Sequence, residues 1–321
     1  MSWGAKYRNP YPHPPHGLLD VLRWKTGWHP PGPAPEGDRA PRRAGAPAVV
    51  REPPPPRSER VGLTWIGHST FLIEYRGLRI LTDPIFGNIL PLLPVPRFRR
   101  LVPPGIAPGD LPPIDEVLIS HSHYDHLDTR SIRLLGERPR YWVPRGLGAW
   151  FRRHGFDRSV ELDWWQSVAI PGLGELHCVP AQHFSARGLF DRDRTLWCGW
   201  VLRTPGFTVY FAGDTAYCPL FQELGSRFGG ADLALLPIGA YSPRWLMGSV
   251  HANPDEAVAM HIDLGSRLSV ACHWGTFRLT DEPPDEPPAL LARARERYGV
   301  AAAAFRVLAP GETISPGFTK E

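Results

Sequence analysis

The stretch Ser120-His121-Ser122-His123-Tyr124-Asp125-His126 gathers three imidazoles and a carboxylate directly after the apolar run Val117-Leu118-Ile119. Imidazole nitrogens and carboxylate oxygens are the ligand types that zinc, iron and manganese accept, and a merely solvated turn rarely carries them at this density. Side chains alternate along an extended chain. His121 and His123 therefore point the same way, while Asp125 and His126 turn back on the opposite side of the same pocket. Two neighbouring cations can be held there. A catalytic pair needs about eight ligand contacts with one position left for water, so other segments must contribute.

Three residues sit where an apolar, strand-like run gives way to a turn: His183 in Pro180-Ala181-Gln182-His183, Asp214 in Phe211-Ala212-Gly213-Asp214, and His273 in Ala271-Cys272-His273. Strand ends gathered along one sheet edge converge on a common cleft. Asp214 is the natural bridge, because a carboxylate offers two oxygens and an imidazole one usable nitrogen. His121, His123 and His183 are then expected around the first metal, and Asp125, His126 and His273 around the second.

The elements that must position these groups are legible in the apolar patterning. Strands are expected at 63–66, 71–75, 78–82, 116–119, 141–143, 175–179, 196–202, 208–212, 231–236, 268–272 and 305–308, and helices at 129–136, 148–154, 220–228, 254–264 and 288–298. The helix at Pro254 has the clearest start: Asn253 can cap it, Pro254 suits its first turn and Glu256 can reach back. Two blocks of strands with helices between and after them imply an α/β fold, a sandwich of two sheets packed face to face with helices outside. Residues 1–60 read as a Pro-rich N-terminal arm packing on the body, with a short amphipathic helix near 17–28 and Trp24 and Trp28 as anchors; a freely disordered tail over 30–60 is the alternative. Residues 61–321 read as the catalytic domain.

The chain has 321 residues, 42% hydrophobic, with 12 Trp, 38 Pro and 32 Gly, which fits a globular but loop-rich protein. A formal charge of +4 is compatible with an anionic substrate and falls far short of the basic stripe of a nucleic-acid binder. Cys178, Cys198, Cys218 and Cys272 are far apart and are expected as buried free thiols. No apolar run is long enough to span a bilayer, and the first residues lack a signal segment, so a cytoplasmic protein is expected, with contact at a membrane surface left open. The loop 89–100, leucines and prolines flanked by three arginines, either packs on the body or forms a greasy rim suited to lipid.

With these residues in view, the chain from 63 to 276 resembles the metallo-β-lactamase fold superfamily of dinuclear metallohydrolases. The narrower likeness is to N-acyl-phosphatidylethanolamine-hydrolysing phospholipases D and their bacterial relatives. It is carried by Trp65-Ile66-Gly67-His68-Ser69-Thr70, Leu81-Thr82-Asp83-Pro84, Leu162-Asp163-Trp164-Trp165, Pro237-Ile238-Gly239-Ala240-Tyr241-Ser242-Pro243-Arg244-Trp245, His251 with Pro254-Asp255-Glu256-Ala257, and His273-Trp274-Gly275-Thr276. Asn9-Pro10-Tyr11-Pro12 and Val21-Leu22-Arg23-Trp24 extend it into the arm. The resemblance implies a four-layer αβ/βα sandwich of two mixed β-sheets flanked by helices, two Zn2+ (with iron or manganese as substitutes), and a phospholipase D-type phosphodiesterase. In that chemistry hydroxide from a shared water attacks phosphorus, Asp125 being a ligand that also orients it and His251 taking part in catalysis. Tyr241 is expected at the pocket or supporting it. His68 either lines the pocket or satisfies a loop, and Asp83 is expected to orient a ligand rather than be one.

A lactonase or other carboxyl-ester hydrolase keeps the same metals and changes the bond. A catalytically decayed lipid- or metal-binding module is the alternative of another class, and it is disfavoured because all seven ligand positions carry competent groups. The expected partner is a small-molecule or phospholipid phosphodiester, with no nucleic acid; a homodimer is suggested by family likeness alone.

Overall fold

The computed structural model describes residues 6–14, 16–27, 61–90, 95–188 and 190–317. The expected arm is therefore described only in part, and Trp28, the stretch 30–60 and residues 91–94 of the apolar loop lie outside the described residues. Helix α1 (Leu18–Lys25) occupies the amphipathic segment, and Trp24 is buried, with its indole donating to Asp281 Oδ2 at 2.5 Å.

Among the described residues, two seven-stranded sheets form the body. The first runs in the order β14 (Thr313–Ile314), β1 (Gly62–Gly67), β2 (Thr70–Tyr75), β3 (Leu78–Thr82), β4 (Glu116–Leu118), β5 (Arg140–Pro144), β6 (Ser159–Leu162). The second runs β13 (Phe305–Arg306), β12 (Ser266–Cys272), β11 (Ala231–Pro237), β10 (Thr208–Phe211), β9 (Gly199–Arg203), β8 (Gly174–Val179), β7 (Ser167–Ile170). Both are mixed. In the first sheet β1 to β3 are antiparallel and β3 to β6 parallel; in the second β7 to β10 are antiparallel and β10 to β13 parallel.

The period-two alternation of the strands decides what each face meets. Leu63, Trp65, Phe71, Ile73, Leu118 and Trp142 join Cys178, Trp200, Leu202, Val209 and Phe211 in the core between the sheets. Their neighbours Ile66, Leu72, Val117, Ile119, Tyr141 and Val143 face the other way, against Ile132 of α2 (Thr129–Leu135) and Phe151 of α3 (Gly148–Arg153). On the far side lie α4 (Leu220–Phe228), α6 (Pro254–Asp263) and α7 (Glu286–Tyr298), with short α5 (Arg244–Met247) between β11 and α6. This is the expected layered sandwich, helices outside two sheets. The cap of α6 forms as the residues require: Glu256 N donates to Asn253 Oδ1 at 2.8 Å and Asn253 N to Glu256 Oε2 at 2.9 Å.

The structure departs from the patterning at the edges. Strands β6, β7 and β14 and helix α5 were not expected; β6 and β7 are the outermost strands of their sheets, largely turned to solvent, so they carry little apolar signal. The stretch expected as strand from 196 begins pairing only at Gly199, because Trp197 and Cys198 hydrogen-bond across loops instead. Ile89 packs with Ile85 and Phe277, joined by Leu90 and Phe98, so these residues of the apolar loop lie on the body, while Val95 is exposed. All four cysteines are buried and free. No helix among the described residues is long and apolar enough to cross a membrane.

Candidate metal centre

The cluster 121–126 leaves the sheet just past β4 and ends where Asp128 caps α2, accepting from Ser131 N at 3.0 Å. Arg187 spans the stretch, its Nη1 donating to the carbonyls of Ser122 at 2.8 Å and Leu127 at 2.6 Å. His68 follows β1, Asp83 follows β3, His183 follows β8, Asp214 follows β10 and His273 follows β12. Three of them, His68, Asp83 and His273, hold positive φ of 54°, 30° and 59°, conformations that cost a non-glycine residue about 1 kcal/mol or more and that cluster where function constrains the chain. Gly213, at φ +62°, brings Asp214 against the cluster: a Cβ there would sit 2.6 Å from Ser120 Cβ, so only glycine allows the approach.

On one side of the cleft His121 Nε2 lies 2.8 Å from His123 Nδ1, which lies 3.2 Å from His183 Nε2. Hydrogen bonding assigns the protons. His121 Nδ1 donates to Ser120 Oγ at 2.9 Å, whose own proton goes to Asp83 Oδ2 at 2.5 Å, and His183 Nδ1 donates to the Val250 carbonyl at 2.9 Å. Both Nε2 atoms thus present lone pairs inward, facing His123 Nδ1, which could donate to only one of them. Three nitrogens on a tetrahedral zinc at about 2.0 Å stand about 3.3 Å apart. The spacing and the surplus of lone pairs fit a cation at their centre.

On the other side His126 Nε2 is 3.1 Å from Asp214 Oδ2 and 3.4 Å from Asp125 Oδ2, while His273 Nε2 is 3.2 Å from Asp214 Oδ1 and 3.6 Å from Asp125 Oδ2. His126 Nε2, His273 Nε2 and Asp214 Oδ1 are buried without a hydrogen-bond partner among the described residues. Orphaned buried atoms of this kind are costly unless something else satisfies them. His126 Nδ1 lies 2.7 Å from Asp83 Oδ2 and donates to it, the carboxylate–histidine arrangement that fixes a metal-facing tautomer. Asp214 reaches both sides, with Oδ2 also 3.7 Å from His183 Nε2 and 3.9 Å from His121 Nε2.

The charges of the pocket favour a cation. Burial, aided by the neighbouring imidazoles, holds His123 down to about 3 and His183, despite Asp214, to about 4. Burial opposes ionisation of Asp125 and Asp214, but His126 and other imidazoles outweigh it and hold both well below the usual carboxylate range. Against the same burial, Asp214 and Asp125 raise His126 and push His273 up to about 9. Protons on these two imidazoles occupy the place a cation would take.

Comparison with known proteins agrees with this chemistry. A family model described as "Beta-lactamase superfamily domain" matches residues 78–274. The chain belongs to the metallo-β-lactamase superfamily. A protein of Mycobacterium tuberculosis is 44% identical over 81% of this chain and 70% of its own length. The N-acyl-phosphatidylethanolamine-hydrolyzing phospholipase D 1 of Caenorhabditis elegans is 38% identical over 67% of this chain and 64% of its own length, so the match spans just under two thirds of that phospholipase. The solved structure of Igni18, a metallo hydrolase from Ignicoccus hospitalis, is 26% identical with a TM-score of 0.62 over 81% of this chain and 99% of its own. The chain is a metal-dependent hydrolase of this superfamily.

The remaining residues of this hydrolase sort by what they touch. His68 lies at the site: its Nε2 is 3.1 Å from Asp125 Oδ2 and its ring 4.1 Å from that of His273. Asp83 sits behind the ligands, with Oδ1 accepting from Ser120 N at 2.7 Å and Oδ2 taken by Ser120 and His126. His251 packs 4.9 Å from the His183 ring, with Nδ1 4.0 Å from Asp214 Oδ2. The hydroxyl of Tyr241 is spent on Glu286 Oε1 at 2.6 Å, which is a supporting contact to α7 and not one to the ligands. His154 is exposed, and His261 is tied to Ser269 Oγ at 2.8 Å, away from the site. Sequence reasoning passed over Ser120, Arg187 and the Val250 carbonyl. Ser120 was detectable as the residue between the strand and the first ligand, whereas a backbone carbonyl leaves no trace in residue type.

Proposed function

We propose that this hydrolase is a dinuclear zinc-dependent phosphodiesterase of the phospholipase D type, acting on N-acyl-phosphatidylethanolamine or a similar phosphodiester. The observation that carries the reading is the Asp214 carboxylate standing between two sets of imidazoles, within 3.1 to 3.9 Å of His126, His183 and His121 through Oδ2 and 3.2 Å of His273 through Oδ1. His121, His123 and His183 would hold one cation and Asp125, His126 and His273 the other, with Asp214 shared. Mixed imidazole and carboxylate ligation suits zinc and also accepts iron or manganese. When bound, such a pair makes hydroxide available near neutral pH and offsets charge building on a phosphoryl group. The phospholipase D relative supports a phosphodiester as the bond broken.

The protein's own residues do the rest. Asp83, Ser120 and the Val250 carbonyl hold the imidazole protons on the outward nitrogens, so that inward lone pairs are ready. His68, 3.1 Å from Asp125 Oδ2, steers that carboxylate and through it the attacking water. Burial keeps His251 well below its ordinary range, hence neutral and able to hydrogen-bond a phosphoryl oxygen. An approaching phosphate anion raises its proton affinity, so that it takes up a proton from solvent and, as the imidazolium, gives that proton to the departing oxygen and returns to the neutral form.

The test measures metal content and turnover in one sample, with N-acyl-phosphatidylethanolamine, bis-(p-nitrophenyl) phosphate and a lactone panel side by side. Two equivalents of zinc with chelator-sensitive phosphodiester hydrolysis are expected. Lactone hydrolysis without phosphodiester hydrolysis would replace the reading by a carboxyl-ester one, and a metal content well below two would remove the dinuclear assignment.

A further inference from the structure

We propose that the N-terminal strap, residues 6–14, is a component of the metal centre and that Asn9 is the positioning residue that fixes His183. The inference rests on the ligand set proposed above. Asn9 Oδ1 accepts two hydrogen bonds at 3.0 Å each, from the backbone N–H of His183 and from the indole N–H of Trp197. Its Nδ2 lies 3.2 Å from His13 Nε2, which keeps the carboxamide turned with its oxygen toward the body. The strap is held on both sides of this point. Tyr7 N donates to the Asp193 carbonyl at 2.9 Å, Gln182 Nε2 donates to the Tyr11 carbonyl at 3.0 Å, and the Tyr11 hydroxyl donates to Glu223 Oε2 at 3.3 Å.

His183 needs such support because it lies in a loop. Residues 180–185 follow β8 and belong to no strand or helix, so the His183 N–H has no ladder partner. A buried backbone donor must find an acceptor somewhere, and an amide oxygen with two lone pairs serves His183 and Trp197 at once. The ring is held at one end by Val250 through Nδ1, 2.9 Å away, and the backbone at the other by Asn9. With both in place, Nε2 stands 3.2 Å from His123 Nδ1. Without the second, the backbone turns to find a new acceptor and Nε2 moves with it. Gln182, next in the chain, binds Thr215 Oγ1 through its N–H at 3.0 Å and accepts from Ala216 N at 2.9 Å, so a displaced loop also pulls on the segment that carries Asp214.

The experiment uses the full chain and follows zinc retention against a colorimetric chelator, together with thermal unfolding of the metal-free protein. Asn9→Ala is expected to release zinc at about tenfold lower chelator concentration, the usual scale for losing a group that orients a ligand. Asn9→Asp keeps an oxygen for both donors and is expected to restore retention. Ser167→Ala, which removes a side-chain hydrogen bond to Glu175 on the outer strand β7, away from the strap and the site, is expected to leave retention unchanged. Wild-type retention by Asn9→Ala would overturn the inference, as would equal losses in Asn9→Ala and Asn9→Asp, or in Asn9→Ala and Ser167→Ala. Should Asn9→Ala fold poorly, Asn9→Leu, which fills similar space but offers no acceptor to His183 N, takes its place, and equal retention by Asn9→Leu and Asn9→Asp would overturn the inference. Wild-type protein that holds no zinc would instead sink the proposed function, so the two failures are told apart.

Discussion

Asp83→Asn changes one atom and should cost the protein much of its grip on metal. Asp83 Oδ1 accepts from Ser120 N at 2.7 Å, and Oδ2 accepts from Ser120 Oγ at 2.5 Å and His126 Nδ1 at 2.7 Å. Burial leaves this carboxyl raised although His126 and Ser120 pull against it, and it accepts from three donors. In Asp83→Asn the amide must turn its NH2 either toward Ser120 N or toward the pair formed by Ser120 Oγ and His126 Nδ1. With the oxygen kept on Ser120 N, the NH2 faces His126 Nδ1, which can accept only by moving its proton to Nε2. That proton then points at Asp214 Oδ2, 3.1 Å away, along the direction a cation needs. A hydrogen bond to a charged group is worth about 1.5–3 kcal/mol, which is about 10- to 100-fold in an equilibrium constant. Loss of an orienting carboxylate costs metal affinity on the same scale of about 10- to 100-fold. Metal content after dialysis and chelator competition read the effect, with circular dichroism confirming that the fold survives. Unchanged retention of both metals in folded Asp83→Asn would refute the tautomer argument.

Other expectations follow from the same geometry. Gly213→Ala adds a Cβ 2.6 Å from Ser120 Cβ at a φ of +62°, and thermal unfolding should report a loss of about 1–3 kcal/mol; an unshifted transition would mean that the approach to Ser120 relaxes freely. His251→Ala should keep its metals while phosphodiester turnover falls about 10²- to 10⁴-fold, and loss of metal instead would make His251 a ligand. His273 rises from 6.5 to about 9 in the metal-free fold, so its contribution to stability is full below pH 6.5 and is lost as pH climbs through about 9. Denaturant titrations of metal-free protein at pH 6, 8 and 10 should show that decline, and calorimetry in buffers of different ionisation enthalpy should show protons released as zinc enters at pH 7. Zinc uptake without proton release would mean that His273 and His126 are already neutral.

Much of this protein could be read from residue types and their spacing. Three imidazoles and a carboxylate after Ile119, with His183, Asp214 and His273 each at the end of an apolar run, are chemical identities printed in the chain, and the short, largely apolar runs of β1, β2 and β11 mark strands of a layered body. The capping box at Asn253 and Glu256 is local for the same reason: every group it uses lies within four residues.

What the chain could not disclose alone is orientation. Whether His68 faced the pocket or a loop was open until its nitrogen was found 3.1 Å from Asp125, and the role of Tyr241 turned on Glu286, a residue 45 positions away. The protons of His183 and His126 are directed by the Val250 carbonyl and by Asp83, and the His183 backbone by Asn9, 174 positions away. Strands β6 and β7 were invisible because an outer strand turned to solvent needs no apolar signature. A ligand is an element type, and the alphabet of side chains records it. The direction in which its lone pair points is set by whichever donor or acceptor lies next to it in space, and backbone carbonyls, common to every residue, are often that neighbour.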